Sequence, residues 1–184
     1  MIKKNGFALV ELVIVAGLIA ALSVALILNF RTAATNKTAR GQVASVVVSD
    51  IRRAQSMALS GSRFQGNIVC GFGIHYINST SYLIYAGSTE GLPDCTSTNH
   101  NYQAGVDSIF QTITINNPSM EMRSSFLDIF FEPPDPKTYI NNNSSLGVAP
   151  ATVTVQLVGQ QNCGGQSCTN VQVYTSGQLD IENF

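Results

Sequence analysis

Histidine is scarce in this chain, and the catalytic and metal-binding patterns that depend on it are absent. The 184 residues include only His75 and His100. Neither lies at zinc-finger spacing from a cysteine pair, no C-x-x-C occurs, and neither is flanked by a nucleophile motif. Gly71 and Gly73 lie within a strand-like pattern and are not followed by a helix, so they do not form a phosphate-binding loop. We therefore expect neither an enzyme nor a metal or other cofactor site.

Charged side chains are scarce too, at 11% of the chain with a formal net charge of −1. The segment 61–184 contains three cations: Arg63, Arg123 and Lys137. A nucleic-acid-binding surface needs several clustered Lys or Arg side chains to neutralise phosphates, so we expect no nucleic-acid binding. Asp128, Glu132 and Asp135 are interpreted as solvated charges at strand ends rather than as an acid–base pair.

The N-terminal region is apolar. From Phe7 to Leu28 the only charged residue is Glu11, and the run is preceded by Lys3-Lys4-Asn5-Gly6. About 20 apolar residues in a helix span the hydrocarbon core of a bilayer. A carboxylate inside such a segment costs about 2.5–3.5 kcal/mol and therefore needs a partner. A cut between Gly6 and Phe7 would make Glu11 the fifth residue of the mature chain, with a neighbouring subunit's N-terminal amine as its cation.

Two simpler interpretations of this run are a secretory signal peptide and a plain membrane anchor. A signal peptide also has a basic head and an apolar core, and Ser23 or Ala25 could mark its cleavage site. However, an acidic residue does not belong in a core that must insert, and the run continues to Leu28. A plain anchor leaves Glu11 without a role.

The stretch Lys-Lys-Asn-Gly followed by Phe-Ala-Leu-Val-Glu-Leu-Val-Ile-Val resembles the leader and N-terminal helix of type IV pilins and type II secretion pseudopilins. The resemblance implies that prepilin peptidase cleaves after Gly6, that the new N-terminal amine of Phe7 is methylated, and that Glu11 directs assembly. It also implies insertion in the inner membrane, with the head extracytoplasmic, before transfer to a pilus or pseudopilus. The implied partners are other pilin subunits, the peptidase, an inner-membrane assembly platform and membrane lipid.

Helical character continues beyond the apolar run. Apolar residues recur at three- and four-residue intervals and form one stripe: Ala39, Val43, Val46, Val47, Ile51, Ala54, Met57 and Ala58. Arg40 and Asp50 are expected to lie off that stripe, and Gly61 is a C-terminal cap. The expected divisions are a leader at 1–6, a transmembrane or filament-core helix at 7–29, its amphipathic continuation at 30–60 and a β-rich head at 61–184.

After Gly61 the apolar period changes to two. Strands are predicted at 68–76, 82–85, 110–115, 127–131, 152–158, 171–174 and 179–181, with the prolines between them. The fold class is therefore α+β, a long helix against a mainly antiparallel sheet domain. Arg52-Arg53-Ala54 and Phe130-Phe131-Glu132-Pro133-Pro134 resemble the GspH/FimT-type minor pseudopilins, which implies a pilin fold with two small sheets.

All four cysteines lie beyond the anchor, in the part expected to face an oxidising compartment. Four cysteines allow three pairings, and the short Cys-Gly-Gly-Gln-Ser-Cys loop favours Cys163–Cys168, which leaves Cys70 with Cys95. Reduced thiols and zinc remain the alternatives. Major pseudopilins carry calcium on acidic C-terminal loops, but only Asp180 and Glu182 occur there, so no such site is expected.

The function expected from these features is that of a structural subunit, a minor pilin or pseudopilin. Two other functions remain open. Some FimT-like minor pilins bind DNA for uptake, although the tail here is acidic. A plain membrane-anchored binding protein, for example one that adheres through the loop around Asn141-Asn142-Asn143, is the other.

Overall fold

The structure is a computed structural model that describes residues 9–61, 63–88, 95, 98–133, 137–163 and 167–183, with the backbone alone at 28–33. In these ranges the chain forms one helix and eleven strands. The elements are α1 (Leu9–Leu59), β1 (Arg63–Phe64), β2 (Asn67–Ile68), β3 (Gly71–Asn78), β4 (Ser81–Gly87), β5 (Ser108–Thr114), β6 (Met120–Ser124), β7 (Asp128–Glu132), β8 (Lys137–Ile140), β9 (Ala151–Leu157), β10 (Cys168–Val173) and β11 (Leu179–Asn183). Two compact units divide after Thr38, and each is described separately below.

Helix α1 ends at Leu59, where the sequence changes from helical to strand-like spacing. The N–H of Gly61 donates to the carbonyl of Ala58 at 3.1 Å, and Gly61 has a φ of +59°. A residue without Cβ adopts this left-handed conformation without steric cost, which explains a glycine just past the helix.

The second unit contains two main antiparallel sheets. One has five strands in the order β5-β4-β3-β7-β8, and the other has four in the order β11-β10-β9-β6. Strands β1 and β2 form a separate small hairpin. The expected α+β class is confirmed, as are the antiparallel sheets. Three stretches that the sequence did not predict are strands: the β1–β2 hairpin, β6 and β8.

One apolar core joins the helix to both main sheets. The helix contributes small and β-branched residues that occur every three or four positions: Ala44, Val47, Val48, Ile51, Ala54 and Ala58. The five-stranded sheet contributes Phe72, Ile74, Ile84, Ile129 and Phe131, and the four-stranded sheet Met122, Val153, Val155, Val171 and Val173. At about 25 cal/mol per Å² of buried apolar surface, this shared core is the main stabilising contribution to the unit.

The buried face of α1 is rotated from the predicted stripe. Val46, which was predicted to lie on it, is exposed, whereas Ala44 and Val48 are buried. Arg40 was predicted to lie off the stripe but is buried, and Asp50 is half-buried because Tyr82 donates its hydroxyl to the carboxylate at 2.7 Å. Two sheets contact the helix, so the buried arc is wider than a single apolar stripe.

The opposite face of the five-stranded sheet, which we call the outer face, carries a second cluster of Leu83, Tyr85, Phe130 and Tyr139. Its aromatic rings fit because the neighbouring strands provide glycines. A Cβ on Gly73 would stand 2.5–2.7 Å from the Tyr85 ring, and one on Gly87 would stand 2.8 Å from the Phe130 ring. These glycines in β3 and β4 therefore provide space for aromatic side chains.

Candidate functional site

The first unit contains a helical segment whose apolar surface is not covered. Leu9–Ile27 has a mean hydropathy of 2.7 and none of it is buried, so by length and composition it can cross a membrane. Leu9 is 81% exposed and Ile27 59% exposed. Exposed apolar surface of this extent requires lipid or another apolar partner.

Glu11 lies in the first turn of α1, as the structure describes it, and is exposed among these apolar residues. Its helical neighbours one turn onward are Ile14 and Val15, which have no group that can pair with a carboxylate. Among the described residues no cation or hydrogen-bond donor contacts it. Gly6 and Phe7, the predicted cleavage and methylation residues, lie outside the described residues.

The second unit contains two disulfides, Cys70–Cys95 and Cys163–Cys168. This is the pairing that the short loop between Cys163 and Cys168 favoured. The first bond closes 25 residues and the second closes 5, and no free cysteine remains in the described residues. Cys70 and Cys168 are buried. Such bonds are typical of a domain that folds in an oxidising compartment.

A polar network on the outer face was not predicted. His75 and Asp128 are register partners on β3 and β7, and their side chains meet at 2.9 Å from Nδ1 to Oδ1. The same carboxylate oxygen accepts the backbone N–H of Tyr102 at 3.0 Å. Asp128 is 4% exposed, so its interpretation as a solvated strand-end charge is wrong. The spacing of 53 residues between the partners explains why no local pattern revealed the pair.

Glu132 belongs to the same network, and it is also not a free surface charge. Tyr139 donates its hydroxyl to Oε2 of Glu132 at 2.8 Å, and Nε2 of His100 lies 3.7 Å from the same oxygen. Burial, and next this bond, raise the pKa of Tyr139 above its usual value. Asp135 lies outside the described residues.

The Asn-rich loop after β8 uses its side chains internally. Asn141 and Asn142 have φ values of +48° and +63°, a left-handed conformation that Asn tolerates better than most residues. Oδ1 of Asn141 accepts the backbone N–H groups of Leu127 and Asp128, and Oδ1 of Asn142 accepts that of His100. These oxygens accept hydrogen bonds from neighbouring segments of the chain, so they are already occupied.

One cavity and two surface cations in the described residues bear on the binding of small molecules and nucleic acid. An open cavity of about 540 Å³ beside this loop is lined by uncharged residues, among them Ser125, Asn143 and Pro150. In the described parts of the chain no three His, Cys, Asp or Glu side chains come together as metal ligands. Arg123 lies 3.8 Å from Glu121, and Lys137 lies over the Tyr139 ring at 5.0 Å, so each of these two cations already has a partner within the domain.

Comparisons with known proteins assign no family. No family model, no curated protein and no solved structure matches the chain.

Proposed function

We propose that this protein is a structural subunit of a type IV pilus or type II secretion pseudopilus, a minor pilin or pseudopilin with a pilin fold. The observation that carries the proposal is Glu11, an exposed carboxylate in the first turn of a helix whose apolar side chains are otherwise unburied. Its resemblance to the pilin N-terminal helix gives this carboxylate a function, whereas a plain anchor gives it none.

The proposed mechanism has two physical terms. Apolar surfaces of neighbouring helices bury one another as subunits leave the membrane, which replaces lipid contacts with helix contacts. Glu11 pairs with the N-terminal amine of a neighbouring subunit, and this attraction offsets the cost of keeping both charges out of water. The amine is that of Phe7 after cleavage at Gly6, so processing by prepilin peptidase creates the partner that Glu11 requires.

Replacing Glu11 tests this mechanism. Truncating one side of a buried ion pair typically costs about 3–5 kcal/mol, so Glu11→Leu should insert and be cleaved but fail to enter the filament. Crosslinking to neighbouring subunits, in cells that carry the assembly machine, is the measurement. Val10→Leu is the matched control because Val10 is a neighbouring exposed apolar residue, and we expect it to assemble normally.

The same experiment separates a subunit from a plain anchor. An anchor gains from losing a carboxylate in the membrane, so in that case Glu11→Leu would insert equally well or better and change nothing else. Wild-type assembly of Glu11→Leu would therefore reject the proposed role of Glu11. Glu11→Gln keeps the shape and removes the charge, and it should fail to assemble as Glu11→Leu does.

Processing is tested by the mass and N-terminal sequence of protein from its native membrane. We expect a mature chain that begins at methylated Phe7, and a precursor that accumulates when Gly6 is replaced by a bulky residue. A start after Ala25 would instead indicate an ordinary secretory signal peptide.

A further inference from the structure

His100 is fixed on the outer face by contacts from three sides. Its backbone N–H and its Nδ1 reach Oδ1 of Asn142 at 3.2 and 2.8 Å, and its carbonyl accepts the Tyr85 hydroxyl at 2.8 Å. Its ring stacks on Tyr139, with centroids 3.5 Å apart and planes 8° from parallel. The residue is 8% exposed, so the ring is held away from water in one orientation.

The contact with Asn142 determines which ring nitrogen carries the proton. Because the Asn142 oxygen already accepts the His100 backbone N–H, it is an acceptor, and Nδ1 must therefore donate to it. In the neutral ring Nε2 then carries a lone pair. This atom is buried without a hydrogen-bond partner and faces Oε2 of Glu132 at 3.7 Å. A lone pair that faces a carboxylate in a buried site is unfavourable, and a proton on Nε2 reverses the interaction.

The groups around Glu132 leave its carboxylate ionised and able to pair with a protonated Nε2 of His100. The Tyr139 hydroxyl donates to Oε2, and burial followed by this bond raises the pKa of Tyr139, so the hydroxyl remains a protonated donor near neutral pH. On the same strand, Lys137 lies 5.0 Å from the centre of the Tyr139 ring, and it is the register partner of Glu132, so its charge also attracts that carboxylate. Its pKa is raised, chiefly by its hydrogen bond to Tyr139, so it remains a cation. From β4, the Tyr85 hydroxyl faces the His100 carbonyl rather than the ring nitrogen.

The remaining titratable groups hold other parts of the same segment. Asp128 pairs with His75 and accepts the N–H of Tyr102, whose ring lies 4.8 Å from that of His75. Asp107 accepts the N–H of Gln103 at 2.7 Å, and burial raises its pKa above the usual range. These carboxylates fix the residues that follow His100, so they do not compete for Nε2.

We propose that His100 and Glu132 form a proton-operated latch for the segment 98–102. Proton uptake at Nε2 from solvent creates an ion pair with Glu132 and holds the segment against the outer face. Proton loss leaves an unpaired acceptor beside a carboxylate and loosens it. The proposal is independent of the assembly function proposed above.

Only the middle of the segment should respond to pH. The Thr98 hydroxyl contacts Sγ of Cys70 at 3.1 Å, beside the Cys70–Cys95 disulfide, and the other end is held by Asp128 and Asp107. Loosening at His100 therefore exposes part of Tyr85 and Phe130 while both ends stay attached. The outer face of the head would be closed in mild acid and more open in mild alkali.

The test uses the full chain in detergent micelles, with histidine labelled by ¹⁵N. The chain contains only two histidines, so His75→Gln leaves a single histidine whose ring nitrogens report protonation directly. Amide exchange of the segment is measured between about pH 5 and 8, where histidine changes charge, and corrected for intrinsic rates. We expect the amides of His100 and Asn101 to exchange about tenfold more slowly at the acid end than at the alkaline end, and the amide of Tyr102, which donates to Asp128, to change little.

Two variants decide the assignment. Glu132→Gln should remove the pH effect, and His75→Gln should keep it because the His75–Asp128 pair lies on another part of the face. If Glu132→Gln does not fold, Tyr139→Phe replaces it and should enlarge the effect, because Oε2 of Glu132 then loses the hydroxyl that competes with Nε2 of His100, while Lys137 stays as it was. Faster exchange in acid, or an unchanged effect in Glu132→Gln, would overturn the latch. Chelator-sensitive protection by added Zn²⁺ at the alkaline end would instead assign the site to a metal ion.

Discussion

The helix Leu9–Ile27 and the domain that begins at Ala39 differ in whether their carboxylates have hydrogen-bond donors. In the domain, three carboxylates each accept a hydrogen bond. Asp50 accepts one from Tyr82, Asp107 one from the backbone N–H of Ser88, and Asp128 one from His75. In the helix, the carboxylate of Glu11 meets only apolar neighbours among the described residues.

The difference indicates where each region finds its stability. A domain that hydrogen-bonds most of its buried polar groups and has its own apolar core can fold without a partner. A helix with an uncovered apolar surface and an unpaired carboxylate needs an external partner for both. This contrast is what the proposed subunit would need: a domain with its own core and a helix that remains available for association.

The strongest test of this difference is to introduce the same carboxylate into both regions. Ile51→Asp puts a carboxylate at a position that is 1% exposed, and we expect a loss of about 4 kcal/mol or more, enough to unfold most of the domain. Leu18→Asp, at an exposed helix position, should leave thermal unfolding of the domain in detergent unchanged. Its cost should appear in membrane insertion, at about 2.5–3.5 kcal/mol. Equal effects on thermal unfolding would contradict the division.

The disulfides sharpen the comparison within the domain. Entropy of loop closure gives about 3.5 kcal/mol for a loop of 25 residues and about 2 kcal/mol for one of 5, so removing Cys70–Cys95 should destabilise more. Paired Cys→Ala variants, followed by chemical denaturation in detergent, provide the measurement. A larger loss from the short loop would indicate that strain or local packing, rather than chain entropy, governs these bonds.

Two glycines give effects of opposite sign. Gly73→Ala places a Cβ against the Tyr85 ring, and that ring is fully buried and anchored through its hydroxyl, so we expect a loss of about 1–3 kcal/mol. Gly41→Ala lies inside α1, where no heavy atom comes within 4 Å of the added Cβ. It should stabilise the protein by about 0.5–1 kcal/mol, measured by the same unfolding experiment. Two losses would mean that the helix at Gly41 is also close-packed.

A small effect that depends on pH concerns Tyr82. Removing its hydroxyl in Tyr82→Phe breaks the bond to Asp50 and should cost about 1 kcal/mol at neutral pH. Burial, and then the bond to Asp50, raise the pKa of Tyr82 well above its usual value of 10.0. Because the unfolded chain then releases this proton first, stability should fall as the pH rises above that value.

Tyr82→Phe should remove that part of the pH dependence, so the variant should lose about 1 kcal/mol less than wild type over the first pH unit above pH 10. Unfolding curves at alkaline pH are the measurement. Parallel pH profiles for the two proteins would show that Tyr82 titrates equally in both states.

The sequence was most informative where a pattern is local. The end of α1 near Gly61 and the β3–β4 hairpin follow from spacing and turn residues alone. Strand β6 was missed because Met-Glu-Met-Arg-Ser contains no β-branched residue, and β8 because it is short and comes after prolines.

The outer-face network could not be predicted for a different reason. His75 meets Asp128 only because β3 pairs with β7 in one register, and His100 reaches Asn142 across 42 residues. Arg40 was predicted to lie off the buried face but is buried. The sequence of a helix does not show how many sheets will pack against it, and so it does not show how wide its buried face will be. The periodicity of apolar residues in the sequence predicts individual helices and strands. The contacts of this network depend on how those helices and strands pack together.

Strands β5 and β11 each lie at one end of a sheet, and the two ends have different consequences for handling the protein at high concentration. Strand β11 carries Asp180 and Glu182, whereas the seven residues of β5 carry no charge. Charged side chains keep an open strand from pairing with another molecule. Concentrated protein should therefore self-associate through β5 first. Thr112→Lys should raise the concentration at which aggregates form. A lysine introduced on β11, which is already charged, should matter little.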